Sequence, residues 1–123
     1  MRMKVSNYIS EMLVKAGIHQ AFMVTGGGAM HLDDALGHQK DLHCIYDHHE
    51  QACAIAAEAY ARIHNKMAVL CVTTGPGGTN SITGVLGGVA GFHPYAGAFR
   101  TGSLRYDGTL VRYRDPCYGR PGI

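Results

Sequence analysis

The sequence predicts an α/β domain: a parallel sheet with helices on both faces. Three observations carry that class. Short apolar runs recur without polar alternation, segments of helical spacing separate them, and glycine-rich turns close several of the runs. A strand covered on both faces reads as a continuous apolar run, and parallel neighbours need a crossover, usually a helix. A chain of 123 residues is enough for one such domain and not for two. Its hydrophobic content of 46% supports a core. Its 17 glycines lie well above the average usage of about 7%, which predicts functional loops or a stretch that is not folded normally.

The elements follow in order. Ser6 is positioned to cap a first helix, in which Ile9, Met12, Leu13 and Ala16 recur at helical spacing and Gly17 is the stop. Ala21 to Thr25 reads as a buried strand, ended by the loop Gly26-Gly27-Gly28, with a helix from about Ala29 to Leu36. Leu42 to Tyr46 reads as a second strand. Glu50 then opens a helix whose next two turns are mostly alanine-sized, and Met67 to Val72 forms a third strand, apolar throughout. Thr79 or Asn80 starts a further helix running to about Gly87. Beyond Gly88 the character changes. The segment is rich in glycine, proline and arginine and holds no sustained period of 2 or 3.6. No further buried strand of adequate length is legible, and Thr109 to Tyr113 is an isolated weak strand.

Two segments carry chemistry. One is His49-Glu50-Gln51-Ala52 with Ala56-Ala57-Glu58-Ala59-Tyr60-Ala61-Arg62; the other is Thr73-Thr74-Gly75-Pro76-Gly77-Gly78-Thr79-Asn80. A carboxylate opening a helix of small residues is expected to be shielded from solvent. Shielding raises its pKa and the helix N-terminus lowers it, a balance suited to sharing a proton. The glycine-proline turn between a buried strand and a helix lets backbone approach a planar ligand closely. Together the segments resemble the pyrimidine-binding domain of thiamine diphosphate enzymes, nearest the acetolactate synthase and pyruvate oxidase branch.

The resemblance spans about residues 3 to 88 and implies a thiamine diphosphate site and chemistry on 2-keto acids, decarboxylation or carboligation. It implies that Glu50 hydrogen-bonds the N1′ nitrogen of the cofactor's aminopyrimidine. That contact favours the tautomer whose 4′-nitrogen removes the thiazolium C2 proton. Thr73 and Pro76 are placed beside the ring by the same resemblance, Asn80 at the turn or an interface, and Gly27 in the loop lining the site. Thr25-Gly26 departs from the tyrosine-proline pair common in such proteins. The resemblance also implies Mg²⁺ held through a separate diphosphate-binding domain bearing a G-D-G motif, for which Tyr106-Asp107-Gly108 is no substitute. Partnership with that domain, as a homodimer or heteromer, is expected through the alanine-rich Glu50 helix.

Such domains continue past the second segment with a helix end, a turn and another buried strand. Reading Val89 onward one base later, with free choice of degenerate bases, permits W-L-D-S-I-P-M-L-V-L-S-G, which resembles that continuation. Residues 1–88 are therefore expected to be a partial pyrimidine-binding domain and residues 89–123 an out-of-frame or disordered tail. Alone, the chain is expected to be inactive. A subunit of a split 2-keto acid decarboxylase and a non-catalytic interaction remnant are the alternatives.

Other classes fare worse. A net charge of +2 leaves no nucleic-acid footprint or polybasic membrane patch. No apolar run approaches the roughly 18 residues that span a bilayer. No signal peptide is visible, and Cys44, Cys53, Cys71 and Cys117 lack C-x-x-C spacing, so free thiols in the cytoplasm are expected. Asp47, His48, His49 and Glu50 are contiguous, and adjacent helical positions diverge by about 100°, so no metal site is assigned. A dinucleotide-binding βαβ unit, with Asp47 as its acidic residue, would need its third glycine where His31 stands. A P-loop is excluded by the missing G-K-[ST] ending.

Overall fold

The computed structural model describes residues 3–90, 96–100 and 108–112. The chain runs α1 (Val5–Lys15), β1 (Gln20–Met23), α2 (Met30–Gly37), β2 (His43–Tyr46), α3 (Glu50–His64), β3 (Val69–Val72), α4 (Pro76–Asn80), α5 (Ile82–Ala90), β4 (Ala96–Arg100) and β5 (Gly108–Arg112). The strands form one sheet in the order β2-β1-β3-β4-β5. β1 pairs in parallel with both β2 and β3, with Phe22 opposite Ile45 on one side and Leu70 on the other. The expected parallel α/β sheet is present.

Alternation along the strands divides the core into two layers. Ala21 and Met23 of β1 and Val69 and Cys71 of β3 join Leu13, Ile18 and Leu36 on the α1–α2 side. Phe22, Leu70 and Val72 join Cys53, Ala54 and Ala57 on the α3 side. Both faces are covered, which is why Ala21–Met23 and Val69–Val72 are apolar at every position.

Several boundaries differ from expectation. Ser6 lies inside α1, whose N-cap is Lys4 with no side-chain hydrogen bond. Gly17 does end the helix, with φ of 81°, a left-handed conformation natural to glycine. The helix expected from Thr79 or Asn80 begins earlier, at Pro76. Proline suits the first helical position because its missing N–H has no intrahelical acceptor there. It breaks at Ser81, and α5 continues from Ile82.

The absence of a strand beyond Gly88 is also corrected. β4 pairs in parallel with β3, Leu70 opposite Gly97, and β5 pairs antiparallel with β4, Ala98 opposite Leu110. β5 overlaps the weak strand read at Thr109 to Tyr113, and over Thr109–Arg112 that strand is paired and not isolated; Tyr113 lies outside the described residues. The physical demand comes from β3: its outer edge carries backbone groups that must find partners. That demand is invisible in the residues of β4 themselves.

The alanine-sized face of α3 is largely consumed within the chain. Cys53, Ala54, Ala57 and Ala61 are buried. A Cβ at Gly84 of α5 would come within 2.5 Å of the Ala54 Cβ, so α3 and α5 meet nearly backbone to backbone. Ala52, Ile55 and Ala59 remain exposed.

Candidate functional site

Three loops leave the carboxyl ends of β1, β2 and β3. They are the Gly26–Gly28 loop, the Asp47–His49 lead into α3, and the Thr73–Gly75 turn into α4. The chain passes from β1 outward to β2 and then back across to β3 on the opposite side. In open parallel sheets, the crevice at such a reversal is where ligands bind.

The approach of the loops is close. A Cβ on Gly26 would lie 2.4 Å from the Thr73 Cβ, and one on Gly28 would lie 2.9 Å from the hydroxyl oxygens of both Thr73 and Thr74. Only hydrogen fits at these positions. The Gly26 N–H donates to Asp33 Oδ2 at 3.2 Å, and the Cys71 thiol donates to Asp33 Oδ1 at 3.6 Å. One carboxylate on α2 thereby ties the glycine loop to β3. By contrast, a Cβ on Gly27 would meet nothing within 4 Å, so that position borders open space.

Glu50 is the first residue of α3. His49 is the N-cap, its Nδ1 accepting from the Gln51 N–H at 3.1 Å. The Asn80 side-chain amide donates to Glu50 Oε2 at 3.0 Å. The other oxygen, Oε1, lies 3.2 Å from where a Cβ on Gly77 would stand, and Thr73 Cγ2 lies 2.9 Å from the same point. Thr79 Oγ1 donates to the Pro76 carbonyl at 3.0 Å, and Gly75 enters the turn at φ of 69°. Thr73, Gly77, Asn80 and Glu50 therefore form one cluster, and Pro76 starts the short helix that assembles it.

The expected shielding of Glu50 is corrected. The residue is half-buried, and its pKa is held below the usual carboxylate value. The Asn80 hydrogen bond is the largest cause, followed by its own helix's backbone; burial opposes them more weakly, and His49 adds a smaller lowering. In this chain, hydrogen bonding to the charged form outweighs desolvation.

Beneath the site, burial pushes the Cys53 thiol up to about 12, with the Asp47 carboxylate adding to the effect, and pushes Cys71 higher still. Thiols so placed stay protonated and are poor nucleophiles. Asp47 Oδ2 is buried without a hydrogen-bond partner among the described residues. Cys44, Cys53 and Cys71 are free; Cys117 lies outside the described residues. Among the described residues no three His, Cys, Asp or Glu side chains converge as metal ligands, and no helix is long and apolar enough to cross a membrane.

Sequence reading placed Gly27, Glu50, Thr73, Pro76 and Asn80 in the site; the fold brings Glu50, Thr73 and Asn80 together around Gly77, with Pro76 opening the helix that carries Asn80, and leaves Gly27 outside that cluster. The reading did not single out Gly26, Gly28 or Gly77 as contact points. Their only signal is the glycine itself; the reason lies in the sequence-distant Thr73 for Gly26 and Gly28, and in the distant Glu50 together with nearby Thr73 for Gly77.

The family profile "Thiamine pyrophosphate enzyme, N-terminal TPP binding domain" matches residues 3–90. The acetolactate synthase large subunit of Buchnera aphidicola subsp. Schizaphis graminum is 41% identical over 73 residues, 59% of this chain and 13% of that protein. The mitochondrial acetolactate synthase of Schizosaccharomyces pombe is 33% identical over 100 residues, 79% of this chain and 15% of that protein. The acetolactate synthase large subunit of Lactococcus lactis subsp. lactis is 35% identical over 80 residues, 65% of this chain and 14% of that protein. The chain thus spans only a small part of the length of the curated relatives it matches.

Proposed function

Because this chain belongs to the thiamine pyrophosphate enzyme family through its N-terminal TPP binding domain, we propose that Glu50 meets the aminopyrimidine end of thiamine diphosphate. The carrying observation is the Glu50 carboxylate itself. One oxygen is held by Asn80 and the other lies over Gly77, at the crevice where the chain reverses across the sheet. Glu50 would hold or release a proton at the ring nitrogen. Thr73 and Pro76 would flank the ring, and the Gly26–Gly28 loop would line the approach with Gly27 on its open side. The bound cofactor supplies the electron sink for a 2-keto acid. The likeness to acetolactate synthases supports decarboxylation and carboligation as the reaction of the whole enzyme.

The donor set fits the pyrimidine end and not the diphosphate end. Magnesium needs several oxygen ligands, and the described residues bring no three His, Cys, Asp or Glu side chains together. We assign Mg²⁺ to a separate diphosphate-binding domain, supplied by a second copy or another subunit in the cytoplasm. Ile55, Ile82 and Leu86 support that partnership: they are 49%, 50% and 60% exposed on α3 and α5, the two helices that meet at Gly84.

The tail, residues 89–123, is proposed to be out of frame. Its β4 backbone, Ala96–Arg100, lies in parallel beside β3. In the shifted frame the codons for Ala96–Arg100 can read L-V-L-S-G, with free choice of degenerate bases, a more strand-prone run than Ala-Gly-Ala-Phe-Arg. Resequencing the DNA around Gly87 to Ala90 tests this, and an unbroken frame there overturns it.

The function is tested in the frame-restored enzyme. Glu50→Gln is expected to slow deuterium exchange at the cofactor C2 by orders of magnitude with the fold intact. Exchange at the wild-type rate would remove Glu50 from the mechanism.

A further inference from the structure

The first residue of α3 and the last residue of α4 are 30 positions apart in sequence and in direct contact. On α4, Gly77 and Asn80 stand three residues apart and so share a face. That face meets the Glu50 carboxylate, and its two members treat the two oxygens differently. Asn80 Nδ2 holds Oε2 at 3.0 Å, while Gly77, lacking a Cβ, leaves room at Oε1, which any larger residue would crowd at 3.2 Å. We propose that Asn80 is a positioning residue for Glu50, sorting its oxygens so that Oε2 is fixed by protein and Oε1 is presented to the ligand. The reading of Oε1 as the ligand's oxygen rests on the function proposed above; the hold of Asn80 on Oε2 does not.

The choice of an amide is chemically specific. A lysine or arginine would fix the carboxylate as well but would pin it as an anion. Asparagine carries no charge, and its amide offers N–H donors to the ionised carboxylate and a carbonyl to its acid form. Glu50 is thus oriented in both protonation states and stays free to change between them. The other titratable groups around it are His49 on one side and Cys53, with Asp47 behind it, on the other. No residue of α4 is ionisable, so Asn80 is that helix's polar contribution to the carboxylate.

The test is a pH titration of the 123-residue chain carrying ¹³C-labelled glutamate, read by NMR. The sequence has three glutamates, Glu11, Glu50 and Glu58, and Glu50→Gln assigns the signal. Asn80→Ala is expected to move the Glu50 midpoint upward, and Asn80→Asp to move it further by placing a like charge beside it. Thr79→Ala is the structural control. It removes the other side-chain hydrogen bond of α4 and is expected to leave Glu50 where it was. An unmoved midpoint in Asn80→Ala, or an equal shift in Thr79→Ala, overturns the proposal. Should Asn80→Ala fail to fold by circular dichroism, the wild-type chain decides. There the Asn80 side-chain amide protons are expected to shift with the Glu50 midpoint, and pH-invariant shifts overturn the direct contact. The titration contains no cofactor, so its failure is separate from failure of the C2 exchange test.

Discussion

Replacing Gly84 by alanine is expected to destabilise the chain, whereas the same change at Gly87, on the same helix, is expected to stabilise it. Helix propensity favours alanine over glycine by roughly 0.8–1 kcal/mol at both positions. The difference is in what each new methyl meets. At Gly84 it would lie 2.5 Å from the Ala54 Cβ, 3.0 Å from the Ile55 N and 3.1 Å from the Ala54 carbonyl carbon. Two of those atoms are backbone of α3, so relief requires the helices to part. Overpacking of that kind costs typically about 1–3 kcal/mol, leaving a net loss of about 1 kcal/mol or somewhat more. At Gly87 the nearest atom is Glu58 Oε2, at 3.0 Å. It is the end of a side chain whose other oxygen is held by Arg62, and a small torsional adjustment removes the contact. Most of the propensity gain should survive there. The two variants should therefore differ by about 2 kcal/mol, which is about 1 M in urea midpoint at a slope of about 1–3 kcal/mol per M. Urea unfolding followed by far-ultraviolet circular dichroism measures both. Equal midpoints, or a Gly84→Ala chain more stable than wild type, would show that α3 and α5 do not meet at this distance.

Stability should fall as pH rises above about 8.5, because the Cys53 and Cys71 thiols ionise in the unfolded chain and stay protonated when folded. For Cys53 the loss continues up to its folded value of about 12, with a slope of at most about 1.4 kcal/mol per pH unit per thiol. Urea midpoints of wild type and Cys53→Ala across that range isolate the contribution, and parallel curves would contradict it. Gly26→Ala should destabilise the chain and be partly rescued by Thr73→Ala, with a coupling of about 1 kcal/mol in a double-mutant cycle; additive effects would separate the two loops. The 123-residue chain alone should give no measurable heat with Mg²⁺ and thiamine diphosphate in calorimetry. A low-micromolar dissociation constant would favour a split enzyme whose small subunit binds cofactor unaided.

β1 and β3 were legible because they are covered on both faces. Phe22 and Met23 point to opposite layers and both are apolar, so the run declares itself without help from other segments. α3 was legible from its first residue, since Glu50 and the run of small residues after it are local features; the His49 cap and the Asn65 C-cap at φ of 51° are further local devices that the structure adds. What failed locally failed where two segments share one requirement. The start of α4 at Pro76 was missed because the glycines around it also fit a plain turn. The spacing that puts Gly77 and Asn80 on one face acquires meaning only once Glu50 is opposite. β4 was missed for a related reason: its pairing answers the open edge of β3, while Ala96, Gly97 and Ala98 carry little strand preference and leave Phe99 as its one strong strand former.

The same division explains why the alanine-rich helix was read as an interface. Small residues on a helix announce close approach by another backbone, and they do not say whose. Here the approaching backbone is α5 of the same chain, at Gly84, so Ala54 and Ala57 are satisfied internally. The signal for a partner moves one step outward, to Ile55, Ile82 and Leu86, which are large, apolar and about half exposed. Alanine exposed on a monomer costs little, but three large aliphatic side chains on adjoining helices form the kind of surface that marks association. Charge placed there is therefore the sharper probe. Ile55→Glu with Leu86→Glu should leave the fold intact and reduce the sedimenting mass of any assembly that the frame-restored enzyme forms. An unchanged mass would mean that subunits meet elsewhere, through a surface that does not include Ile55 and Leu86.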